Sequence, residues 1–134
     1  MSPFFDTNIL IYAFSSDPRR DRALAAIADG GVISVQVLNE FTNVLRKKQK
    51  QDWSMIEAAL SSVRFRFPDV VALTSETHAA ALQLARDHGL AFYDALILAS
   101  AVEANCETLY SEDFQHDRAI AGLTIRNPFI EGTP

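Results

Sequence analysis

Four acidic residues of this chain stand where a carboxylate is hard to keep. Asp6 lies in Phe4-Phe5-Asp6-Thr7-Asn8, Glu40 in Leu38-Asn39-Glu40-Phe41, Asp94 in Phe92-Tyr93-Asp94-Ala95-Leu96, and Asp113 in Tyr110-Ser111-Glu112-Asp113-Phe114. Each is embedded in or beside apolar sequence, and desolvating a lone carboxylate costs several kcal/mol. Several such acids in one small domain suggest a shared cation, because neighbouring carboxylates otherwise raise one another's proton affinity. Hard divalent ions such as Mg²⁺ and Mn²⁺ prefer carboxylate oxygens. Such an ion activates water for attack on a phosphodiester, and two ions stabilise both the attacking and the leaving oxygen. Thr7, Asn8 and Ser111 are suited to orient the carboxylates or hold metal-bound water.

Each acid also has a plainer reading. Asp6 and Asp94 both suit helix starts, where an Asp usually does nothing but cap. Glu40 reads equally as a solvated flank residue paired with Lys47 or Lys48, and Asp113 as the closer of a turn. Glu112 is expected to face solvent, with Asp117 a weaker candidate still. His116 reads as a surface loop histidine, and His78 and His88 are wrongly spaced on their helix for a metal pair. Trp53 reads as a packing or partner-contact residue.

The elements that must position these acids follow from pattern and punctuation. Phe4-Phe5 is a short buried strand ending at Asp6, followed by a helix from Asn8 to about Ser15. Asp17-Pro18 signals a second helix start, and Gly30-Gly31 its stop. Val32-Ile33-Ser34 reads as a strand. Val37, Leu38, Phe41, Val44 and Leu45 then form one face of a helix running to Lys48, which Glu40 borders. Ser54-Met55-Ile56-Glu57 fits a capping box for a helix ending before Pro68. Val70 to Leu73 reads as a strand, and Thr74 or Ser75 caps a helix that Gly89 stops. Asp94 is expected to open the most apolar helix, through Val102, and a helix apolar nearly all round is a central one. Thr108-Leu109-Tyr110 reads as a strand, and Leu123 to Arg126 as a final edge strand. Strands alternating with helices imply an α/β domain with a mostly parallel central sheet flanked by helices on both faces. In such sheets ligands bind beyond the carboxyl ends of strands, where Asp6 and Asp113 lie.

Composition sets the outer bounds. The 134 residues amount to one ordinary domain, spanning 1–134, and a hydrophobic content of 49% with 22% charged residues supports a real core. Seventeen Asp and Glu against 12 Lys and Arg argue against a protein that grips nucleic acid over its whole surface. A nuclease remains compatible with that balance, since bound cations invert the charge of an acidic site. Arg19, Arg20 and Arg22, then Arg46, Lys47, Lys48 and Lys50, are either solvated helix faces or phosphate and partner contacts. Cys106 stands alone and reads as a small buried hydrophobe. The absence of a secretory signal pattern, of a membrane span and of a disulfide pair makes a cytoplasmic location the expectation.

The four acidic segments, taken together, resemble the motifs of a known family. Phe5-Asp6-Thr7-Asn8-Ile9-Leu10-Ile11-Tyr12 looks like the first motif of PIN-domain ribonucleases, and Ser34-Val35-Gln36-Val37-Leu38-Asn39-Glu40-Phe41 resembles the second. Tyr93 to Ala101 resembles the third, and Leu109-Tyr110-Ser111-Glu112-Asp113-Phe114 the fourth. Order and spacing match over essentially the whole chain, and the closing Ile125-Arg126-Asn127-Pro128-Phe129 is most similar to the VapC toxin branch. The resemblance implies a three-layer PIN-like fold and a Mg²⁺- or Mn²⁺-dependent endoribonuclease. Its catalytic and metal residues would be Asp6, Glu40, Asp94 and Asp113, with Thr7, Asn8 and Ser111 at the accompanying polar positions. It further implies an RNA substrate, a homodimer, and neutralisation by a cognate antitoxin. Two other readings stay open on the residues: a phosphatase with an aspartyl nucleophile at Asp6, and a catalytically inactive PIN-like interaction module.

Overall fold

A computed structural model describes residues 2–130, so Met1 and residues 131–134 of the expected 1–134 domain lie outside the described residues. Strands β1 (Phe4–Phe5), β4 (Thr108–Tyr110), β6 (Leu123–Arg126) and β5 (Ala119–Ile120) form one sheet in the spatial order β1-β4-β6-β5. β2 (Ile33–Ser34) and β3 (Val70–Val71) form a parallel pair. A parallel bridge between Phe4 and Val32 joins that pair to the larger sheet. All pairings are parallel except the β5–β6 hairpin, giving the mostly parallel α/β sheet that strand–helix alternation implies.

The helices are α1 (Thr7–Ala13), α2 (Arg20–Ile27), α3 (Val35–Asn43), α4 (Trp53–Arg66), α5 (Ser75–His88) and α6 (Phe92–Glu103). α3 continues into a π-helical turn, Val44–Lys48, which the apolar periodicity did not reveal. α6 is buried from Ala95 to Ala101, as a helix apolar on every face must be. It packs against α5, α3 and β2. The β1 side chains Phe4 and Phe5 are fully buried, with the Phe5 ring stacked 5.4 Å from Tyr110 and tilted 5.6 Å from Phe67.

Several placements differ from the sequence expectation, including β3, which spans only Val70–Val71 of the expected Val70 to Leu73, and α1, which ends at Ala13. The final strand is not an edge: β6 lies between β4 and β5, because the unforeseen two-residue β5 folds back on it through Ala121-Gly122. α2 starts at Arg20 rather than at Asp17-Pro18, since the Asp17 carboxylate is spent on the Arg19 amide and guanidinium in the preceding turn. α4 is capped by Asp52, which accepts from the Met55 amide, and not by Ser54. α6 begins at Phe92, so Asp94 sits inside its first turn and is not its cap. The expected Thr74 cap and the left-handed Gly89 stop of α5 are both present.

Gly31 is the one glycine whose missing side chain the sheet requires. With φ at +156°, a Cβ there would lie 2.4 Å from the Phe5 ring and 2.6 Å from the Pro3 carbonyl oxygen. The second neighbour is backbone and cannot swing aside. We predict that Gly31→Ala lowers unfolding stability by about 1–3 kcal/mol, the usual cost of overpacking, read by urea denaturation. An unchanged midpoint would contradict this packing.

Candidate functional site

Parallel register builds the core of the site. Phe5 pairs with Tyr110, so Asp6 and Ser111 leave the ends of adjacent strands side by side. The Asp6 amide donates to the Tyr110 carbonyl at 3.0 Å, carrying the ladder one residue further. Asp6 is both the N-cap of α1, accepting from the Thr7 amide at 2.7 Å, and the acceptor of the Ser111 hydroxyl at 2.7 Å. That hydroxyl in turn accepts from the Asp113 amide at 3.1 Å, which turns the chain so that Asp113 returns beside Asp6. Asn8 donates to the Asp113 carboxylate at 3.3 Å.

Glu40 is brought in by the packing of α1 against α3. The Thr7 hydroxyl donates to one Glu40 oxygen at 2.7 Å, and the Gln36 amide to the other at 2.9 Å. Glu40 is therefore not a solvated partner of Lys47 or Lys48. Thr7 bonds Asp6 and Glu40, Ser111 bonds Asp6 and Asp113, and Asn8 bonds Asp113. Gln36 is a further member the sequence reading passed over; its signal was the i, i+4 spacing to Glu40 on one helix face.

The electrostatics tie Asp94 to the same place. Its carboxyl is raised above the usual range, first by partial burial and then by the fields of Asp113 and Glu40. Asp6, only 2% exposed, is pushed up to about 7. Burial is the largest cause, the Ser111 hydrogen bond opposes it, and Asp113 and Glu40 add to it. Among the described residues, none of the four acids is ion-paired with Lys or Arg. Nor do three His, Cys, Asp or Glu side chains among those residues already enclose a metal position. The acids share one field and would have to close in on an ion. An uncompensated set of oxygen donors of this kind fits Mg²⁺ or Mn²⁺ in its donor chemistry.

The neighbouring candidates have other work. Glu112 does not face solvent: it accepts a short hydrogen bond from the Tyr12 hydroxyl and a 3.4 Å contact from Arg19. The Arg19 guanidinium also lies 3.8 Å over the Tyr12 ring. Burial and this carboxylate push the Tyr12 hydroxyl up to about 12. Arg22 holds the carbonyls of Pro128 and Ile130. Asp117 pairs with Arg126 and His116, and the His116 ring accepts from the Asn127 amide. Arg46 lies over Trp53. All seven residues of the basic clusters are exposed, Arg19, Arg22 and Arg46 despite these contacts. His78 and His88 are exposed on α5, and Cys106 is a buried free thiol.

A buried acid with a raised folded value penalises the folded state once ionised. Between about pH 4 and 7 the unfolded chain releases the Asp6 proton while the folded chain keeps it, so this contribution to stability is lost as pH rises through that window. In chelator-containing buffer, Asp6→Asn is expected to raise Tm at pH 7.5, with the gain shrinking towards pH 4. A variant less stable than the parent at pH 7.5 would contradict the account.

Curated proteins gave no sequence match. Solved structures share the fold. A toxin–antitoxin complex from Klebsiella pneumoniae matches with a TM-score of 0.74 at 24% identity, covering 96% of this chain and 98% of the other. Mycobacterium tuberculosis VapC20, described as a sarcin–ricin loop cleaving toxin, matches at 0.68 and 20% identity over 84% and 90% of the two chains. VapBC2 from Rickettsia felis, bound to a DNA fragment from its promoter, matches at 0.69 and 20% identity over 95% and 98%. The sequence model of the PIN domain matches residues 4–121, a span that contains Asp6, Glu40, Asp94, Asp113 and every hydroxyl and amide that holds them, and the chain belongs to the PIN-domain family.

Proposed function

We propose that this protein is a Mg²⁺- or Mn²⁺-dependent endoribonuclease of the VapC toxin type, hydrolysing RNA phosphodiesters at the Asp6, Glu40, Asp94 and Asp113 site. The observation that carries the reading is that the Asp6 and Asp94 carboxyls are both raised, first by burial and then by Asp113 and Glu40, with no Lys or Arg paired to any of the four acids among the described residues. Such an arrangement costs stability when empty and is relieved by a divalent ion. A bound ion would supply charge neutralisation at the phosphate and a nucleophile drawn from water.

This chain's own residues do the rest. Asp6 is fixed from two sides by Thr7 and Ser111, so its carboxylate is pre-aimed. Glu40 is fixed likewise by Thr7 and Gln36. Asp113 is exposed and held by Asn8, which leaves it able to move towards an ion or substrate. Asp94 is half-buried in the first turn of the buried central helix. The phosphatase reading has less support. Both Asp6 oxygens already accept hydrogen bonds inside the fold, and Asn8, two residues on, is engaged with Asp113.

Partners follow by likeness. The similar folds include toxins solved with their antitoxins, which supports a cognate antitoxin that covers this site, and the family resemblance supports a homodimer. No helix among the described residues is long and apolar enough to cross a membrane; a cytoplasmic location is part of the same proposal.

Partner-free protein is expected to cleave a mixed RNA pool with Mg²⁺ or Mn²⁺ and to stop when a chelator is added. Asp94→Asn should abolish cleavage with a Tm close to that of the parent. A fully active Asp94→Asn would overturn the assignment. Ser111→Ala should cut activity by about 10–100-fold, the usual cost of losing a group that orients a metal-binding carboxylate. Initial rates on one labelled RNA would measure it, and a rate within twofold of the parent would remove Ser111 from that role.

A further inference from the structure

Beside the acidic site lies a cleft of about 410 Å³ lined by Gln36, Asn39, Glu40, Asn43 and Tyr93. Four of these residues recur at i, i+3, i+4 and i+7 on α3, so they make one continuous polar stripe along that helix. Tyr93 comes from a second element, the first turn of α6, immediately before Asp94. Glu40 therefore belongs to both the acidic site and the cleft, and the two are contiguous.

The lining selects the chemistry of its ligand. It contains no lysine or arginine and one carboxylate, so a phosphate would be repelled there. The Gln36 amide is committed to Glu40, whereas Asn39 and Asn43 are solvent-exposed. Each carboxamide offers both a donor and an acceptor, the pattern displayed by the edge of a nucleobase. Tyr93 is 64% exposed at the mouth. A single exposed aromatic needs no special cause, but one that faces an amide stripe next to a hydrolytic site is a stacking surface for an unpaired base.

We propose that this cleft is a nucleobase subsite, in which Tyr93 stacks on a base of single-stranded RNA flanking the scissile phosphodiester and Asn39 and Asn43 read that base's edge. The proposal rests on the ribonuclease reading above and adds where substrate choice is made. Phosphates would run past the cleft towards the acidic site, while the base turns into the amides. Choice among bases comes from the two Asn side chains, and general affinity from the Tyr93 ring.

The test uses the full chain carrying Asp94→Asn, so that RNA is bound without being cut. Fluorescence anisotropy with short single-stranded oligomers of A, C or U gives affinities. Tyr93→Ala should weaken binding by about tenfold, within the range of base–aromatic stacking, while Tyr93→Phe should retain it. Asn39→Ala with Asn43→Ala should bring the three oligomers to equal affinity. A 4-thiouridine oligomer irradiated on the Asp94→Asn protein should attach to a peptide containing Tyr93 or to the α3 segment. Equal binding by Tyr93→Ala, with attachment elsewhere, would overturn the subsite and leave the cleft to a protein partner. Cleavage of mixed RNA by the chain with Asp94 intact is scored separately. If it cleaves but Tyr93→Ala and the Asn variants cut at the same positions and rates, the subsite fails and the ribonuclease reading stands. If it neither cleaves nor binds RNA, both fail.

Discussion

The arrangement depends on one carboxylate, Asp6, held out of water at the end of β1. A fold does not bury an acid there without cause, and its surroundings are built around the consequence. Two hydrogen bonds, from the Thr7 amide and the Ser111 hydroxyl, lower the cost of its charge. Burial and the fields of Asp113 and Glu40 raise it further than those bonds can offset. The residual imbalance is the physical basis for the proposal that a cation binds here. It also explains why each polar neighbour is so fully committed: Thr7 serves Asp6 and Glu40 together, and Ser111 serves Asp6 and Asp113 together.

That imbalance is held in place by elements whose buried faces are apolar. Parallel pairing of β1 with β4 sets Asp6 beside Ser111 without any side-chain contribution. α6 contributes Asp94 from a helix whose following residues are buried, so the acid's position is fixed by core packing. α3 presents Glu40 from the edge of its apolar face, where Val37, Leu38 and Phe41 are buried. Function and core are thus separated by a single residue step along each element, which is how a small domain can carry four acids and still fold.

Much of this was legible in the sequence because the decisive features are local. Phe4-Phe5 followed by Asp6 declares a strand end, and the apolar run after Asp94 declares a central helix. The heptad-like face bordering Glu40 places that acid near the core. What could not be read depended on which of several competing side chains takes a partner, whether that partner is distant or close in the chain. Glu112 looked solvent-facing because its partners, Tyr12 and Arg19, lie about a hundred residues away. Asp52 outcompeted Ser54 for the cap of α4, and Asp17 was used up by Arg19 before it could start α2. β6 looked like an edge because the two-residue β5 is too short to leave a pattern. Gln36 was passed over for a different reason: its i, i+4 spacing to Glu40 carries weight only once that acid is known to need a donor.

The most direct measurement of the central claim is the binding of Mn²⁺ to partner-free protein near neutral pH, followed by calorimetry in buffers of different ionisation enthalpy. The account requires saturable binding that releases protons, because Asp6 sits near half-protonation there and must ionise to hold the ion. The same titration on Asp6→Asn should show weaker binding and lose that proton release. Saturable Mn²⁺ binding that is identical in parent and variant, or no binding to folded parent protein, would contradict the claim that these carboxylates form a cation site.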